Sequence, residues 1–141
     1  MDVILIANDL VPGAHLPVAA PGLRQWGIAH GLRAHGLEAE LVVPRHVADR
    51  MWGDLPSPVP DGATVMSAAE IPALVASRAP STVILTNSNQ YDLVADLPDT
   101  RYVFDFFAPK VLELVCQEHP EPERLATLRD QKVRALSLIH I

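Results

Sequence analysis

With only one cysteine, Cys116, among 141 residues, the chain can form neither an internal disulfide nor a cysteine-based zinc site, which fits a reducing compartment. Cationic excess is missing too: eleven Lys plus Arg against seventeen Asp plus Glu leave a formal charge of −6. No broad basic face exists to neutralise a phosphate backbone, so nucleic acid is not an expected partner. Long apolar runs are also absent. The longest, Val3 to Ala7, stops at Asn8-Asp9 and has only Met1-Asp2 before it, too short for a signal-peptide core or a membrane span. A cytoplasmic protein is expected. The composition is not that of disorder either: 49% of residues are hydrophobic and 20% charged. That profile and length suit one folded domain with a real core and leave no room for a second. What is plentiful is proline, thirteen in all, which points to many chain reversals between short elements.

Asp2 to Ala7 is branched and apolar throughout, as expected of a strand buried on both faces of a parallel sheet. The long loop Asn8 to Pro21 follows, and loops of that length in compact domains are usually functional. Gly22 to Gly36 reads as a helix, with Ile28, Ala29 and Leu32 on one face and Gly36 as its left-handed terminator. Gly27 and Gly31 lower its propensity and are expected to allow close contact with the sheet. Glu38 to Val43 is a second strand, completing a strand–helix–strand unit. Further along, a helical turn is expected around Val47 to Trp52, a short strand at Ala63 to Met66, and a helix opened by Ser67 with Glu70 at capping-box spacing. Strands at Thr82 to Thr86 and Tyr102 to Phe106, a brief helix at Tyr91 to Leu97, and helices at Pro109 to Glu118 and Glu121 to Ala135 complete the pattern. Cys116 falls on the apolar side of its expected helix and reads as core. The expected architecture is α/β, a Rossmann-like parallel sheet with helices on both faces.

In such a sheet ligands bind beyond the carboxyl ends of the strands. Asn8 and Asp9 follow the first strand, Arg45 and His46 the second, Asn87, Ser88, Asn89 and Gln90 the next clear one, and Asp105 lies within the last. Carboxamides, hydroxyls and an isolated carboxylate suit sugar hydroxyls, although loops are polar in any case. His15, in the long loop, and His46 could each reach a ligand or simply face water. Pro21-Gly22 at a helix start lets a phosphate approach free amide hydrogens, and Arg24 one turn in adds a bidentate donor. Turn chemistry alone explains the Pro-Gly pair equally well.

Pro21-Gly22-Leu23-Arg24, Gly27-Ile28-Ala29, Leu32, Gly36, Glu38 and Leu41-Val42-Val43-Pro44 resemble the amino-terminal domain of GT-B glycosyltransferases, particularly the retaining group related to glycogen and sucrose synthases. Phe104-Asp105-Phe106-Phe107-Ala108-Pro109, with Leu112-Glu113-Leu114 behind it, is similar to an aromatic-aspartate-proline stretch in some bacterial members. The resemblance implies two facing Rossmann-like domains, this one holding the acceptor and a carboxyl-terminal one beyond this chain holding the nucleotide sugar. It places Gly22 and Arg24 against the donor diphosphate. Asn8, His15, His46, Asn87, Ser88, Asn89 and Asp105 then face a glycan or lipid-linked acceptor. No catalytic residue is assigned, because the histidine many members carry after the fourth strand is replaced here by Thr86-Asn87-Ser88-Asn89-Gln90. No cofactor is implied besides the nucleotide sugar as donor substrate.

Other constellations fail. A dinucleotide fold needs G-x-G-x-x-G after the first strand, where this chain has Asn8-Asp9-Leu10-Val11-Pro12-Gly13. His30 and His35, five apart on one helix, lie roughly 140° apart around its axis and cannot share a metal, so both read as solvated flank residues and no metal site is expected. Trp26 and Trp52 could stack on a sugar ring but read first as packing. A stand-alone receiver- or flavodoxin-like module is the alternative, with Asn8-Asp9 in the acidic position after the first strand. No basic amphipathic helix supports membrane association. The last six residues, 136–141, match one reading frame of a transposase adapter end used in sequencing libraries; a genuine strand start is the alternative. The domain is therefore taken as residues 1–135, with the natural chain expected to continue.

Overall fold

The structure, a computed structural model, describes residues 2–13, 17–53, 58–59, 62–86, 88–105, 116 and 121–137. In chain order its elements are β1 (Asp2–Ile6), α1 (Ala20–Ala34), β2 (Glu38–Pro44), α2 (Arg45–Trp52), β3 (Ala63–Met66), α3 (Ile71–Ser77), β4 (Ser81–Leu85), a 3-10 helix (Ser88–Leu93), β5 (Thr100–Phe104) and α4 (Pro122–Ser137). The strands form one five-stranded sheet in the order β3-β2-β1-β4-β5. All four pairings are parallel. This is the Rossmann-like α/β architecture expected from the alternation of apolar runs and helical periods.

The period-two geometry of strands sends alternate side chains of the central strands into two separate cores. Val3, Leu5, Leu41, Val43 and Val65 pack on one face with Ala29 of α1 and Ala48 of α2. Ile4, Ile6, Val42, Val83 and Leu85 pack on the other with Ile71 and Val75 of α3 and with Tyr91 and Val94. Helices thus cover both faces, and β1 in the middle is apolar at every position beyond Asp2 because neither face meets water.

Helix ends follow local chemistry. Gly36 takes φ +77°, and the Gly36 and Leu37 amides donate to the Arg33 and Leu32 carbonyls at 2.9 and 3.1 Å, closing α1 with paired left-handed-cap bonds. Glu70 accepts from the Ser67 backbone N–H at 2.9 Å, half of a capping box. The helix itself begins later than Ser67 implies, at Ile71 with Pro72 in its first turn.

Several expectations are corrected. Close contact with the sheet at Gly27 and Gly31 does not occur: a Cβ added at either would meet nothing within 4 Å. The close approach is made instead by Gly22, where an added Cβ would stand 1.7 Å from the Leu10 carbonyl oxygen. β5 begins two residues before the expected Tyr102, because the turn at Pro98-Asp99, with Asp99 at φ 50°, delivers Thr100 directly beside Ser81 of β4. The brief helix expected at Tyr91 to Leu97 is a 3-10 helix that starts earlier, at Ser88. Cys116 is exposed in a turn and not in a core. His30 is half-buried, its ring 4.1 Å from that of Trp26 one helical turn earlier, and not a solvated flank residue. The helix expected at Glu121 to Ala135 spans Pro122–Ser137. The helix expected from Pro109 lies outside the described residues.

Candidate functional site

The order β3-β2-β1-β4-β5 places a topological switch point between β1 and β4, whose chain connections leave toward opposite sides. Ile6 pairs with Leu85, so the next residues, Ala7 and Thr86, leave the ends of the two neighbouring strands where the crevice opens. Two carboxamides brace this point. Gln90 of the 3-10 helix donates through Nε2 to the Ala7 carbonyl at 2.8 Å, and Gln25 of α1 donates through Nε2 to Thr86 Oγ1. Both glutamines are buried. Their Oε1 atoms, and Oδ1 of Asn8 beside them, are buried without a hydrogen-bond partner among the described residues.

α1 starts directly over this point. Ala19 precedes it with no capping side chain, and its first turn holds no acidic residue, so the positive end of the helix dipole is not neutralised by its own side chains. Gly22 is buried against the Leu10 carbonyl, pinning that turn to the loop after β1. Asp9 turns its carboxylate back to the Leu10 N–H at 2.8 Å. Two residues beyond Gly22, Arg24 crosses to Asp105: Nε lies 2.6 Å from Oδ2 and Nη2 lies 3.0 Å from Oδ1. The hydrogen bonds and charge of Asp105 hold the Arg24 guanidinium above its ordinary pKa. Asp105 stands just past β5, and its own N–H still donates to the Leu85 carbonyl at 2.8 Å.

Asn8, Gly22, Arg24 and Asp105 therefore share one end of the molecule, around the tips of β1, β4 and β5. His46 is exposed in the first turn of α2, at the same end but beyond β2. Ser88 and Asn89 begin the 3-10 helix directly after β4. His15 and Asn87 lie outside the described residues. Trp26 packs against the core on the α1 face. Gln25 was not among the expected site residues; its signal was its place on one helical face with Gly22 and Ala29, where a carboxamide must find a buried partner. The opposite end of the sheet carries a small cavity lined by Asp2, Glu38, Glu40 and Arg78. There Arg78 lies 3.8 Å from Asp2 and 3.5 Å from Glu40.

Among the described residues no cluster of three or more His, Cys, Asp or Glu could hold a metal ion. No helix among them is long and apolar enough to cross a membrane. Comparison with protein-family models, curated proteins and solved structures gives no match.

Proposed function

We propose that the chain is the acceptor-side, amino-terminal Rossmann-like domain of a GT-B glycosyltransferase of the retaining kind, working in the cytoplasm. The observation that carries this reading is the convergence of Asn8, Gly22, Arg24 and Asp105 at the switch-point end of a parallel sheet. In the proposed reaction Gly22 and Arg24 meet the donor diphosphate, with the uncapped start of α1 adding its dipole. Asn8 and the polar groups after β2 and β4 hold an acceptor hydroxyl of a glycan or lipid-linked sugar. Catalysis would come from holding both substrates in a closed cleft and stabilising the departing diphosphate. A second Rossmann-like domain supplies the rest of the donor site.

Strand order supports this reading over the receiver- or flavodoxin-like alternative, whose sheets run 2-1-3-4-5, whereas this one runs 3-2-1-4-5. Calorimetric titration with a panel of nucleoside diphosphate sugars, flavin mononucleotide and acetyl phosphate tests the choice. Weak, saturable binding of the nucleotide sugars, through the diphosphate contact at Gly22 and Arg24 alone, and silence from the other two is expected. Flavin binding, or covalent labelling by acetyl phosphate, would overturn it. In a radiolabel transfer assay this chain alone is expected to show no turnover; turnover would refute the need for a second domain.

A further inference from the structure

We infer that Asp105 is a positioning residue for Arg24, fixing the plane in which its guanidinium meets a diphosphate; this rests on the reading of Arg24 given above. The contact joins residues 81 apart in sequence, one a turn into α1 and one just past the edge strand β5. Both carboxylate oxygens are used, at 2.6 and 3.0 Å, on the Nε and Nη2 side of the guanidinium. A two-point fork of this kind fixes orientation as well as position.

Asp105 is suited to hold rather than to follow. Its N–H donates to the Leu85 carbonyl at 2.8 Å, which extends the β4–β5 ladder by one residue and ties the carboxylate to the sheet. Its side chain is 15% exposed against 48% for Arg24, so the arginine is the partner that faces solvent. An ion pair that open contributes little to folding. What it supplies is order. An unanchored arginine gives up rotamer freedom when it meets a ligand, and the fork has removed that freedom beforehand. The carboxylate also opposes an incoming anion, but an anion on the far side of the guanidinium stands closer to the cation than to the carboxylate, so attraction exceeds repulsion. Loss of the fork should therefore weaken anion binding.

The test titrates inorganic pyrophosphate into the chain and its Asp105→Asn and Asp105→Glu variants. Amide signals of residues 20–24 and the Arg24 Nε–Hε signal are followed by NMR, with urea unfolding measured alongside. Wild type should show saturable shifts at these positions. Asp105→Asn should bind roughly tenfold more weakly with little change in unfolding midpoint, and Asp105→Glu should recover part of the loss. Equal or tighter binding by Asp105→Asn overturns the positioning role and leaves Arg24 as a phosphate residue. Weakened binding that follows a matching loss of stability and is not rescued by glutamate makes Asp105 merely structural. No wild-type shift at residues 20–24 overturns the reading of Arg24 and the inference with it.

Discussion

Gly22 shows how one residue serves two arguments. From its place after Pro21 it reads as a phosphate-facing glycine, while the structure shows the packing reason for it, a Leu10 carbonyl where a side chain would begin. Gly22→Ala forces a methyl against backbone that cannot swing aside, and a loss of roughly 1–3 kcal/mol is expected in urea unfolding. Unchanged stability would mean that the loop after β1 is not held there. Gln90 makes the matching case for polar burial. Gln90→Leu strands the Ala7 carbonyl, and a cost of roughly 1–3 kcal/mol should appear in the same assay. Gln90 was legible as one of several polar residues after the fourth strand. Which of them turns inward was not, because that depends on the path of the 3-10 helix and on a carbonyl 83 residues away.

At the scale of elements, α1 combines a tight start with an unconstrained middle. Gly27 and Gly31 are exposed and a Cβ at either meets nothing, so alanine at each should add roughly 0.5–1 kcal/mol by reducing the freedom of the unfolded chain. A loss of stability would show that a neighbour does approach them. The turn before α3 predicts a pH effect. Hydrogen bonds from Ser67, side chain first and backbone second, hold the Glu70 carboxyl below the usual glutamate range. A depressed carboxylate contributes stability above its unfolded pKa and loses it as pH falls through the lower, folded value. Wild type and Glu70→Gln should therefore differ most near neutrality and converge in acid; a pH-independent difference would contradict this. The segment between β4 and β5 is tied down by Tyr102, whose hydroxyl donates to the Val94 carbonyl at 2.6 Å and accepts from the Leu97 N–H at 3.0 Å. Burial raises its pKa, which keeps the donor proton in place at neutral pH. Strands in the interior of the sheet, with neighbours on both sides, were the easiest to read in the sequence, as β1 and β2 show. β5 was misplaced by two residues because an edge strand alternates between half-buried and exposed positions, and its apolar content marks the wrong bounds.

At the scale of the molecule, alternating strands and helices made a parallel sheet legible, but they fit the 2-1-3-4-5 and 3-2-1-4-5 orders alike. Strand order is a long-range property: it rests on β4 joining β1 on the side away from β2, a contact between segments about eighty residues apart. Once that order is known, the residues after β1, β4 and β5 become neighbours, and the Arg24–Asp105 fork spans them. The most direct measurement is an amide NMR map of the chain with a nucleotide sugar bound. Shifts concentrated at residues 8–11, 20–25, 86–90 and 105 are expected. Shifts centred on Asp2, Glu38, Glu40 and Arg78, at the other end of the strands, would contradict a saccharide-handling face at the carboxyl edge.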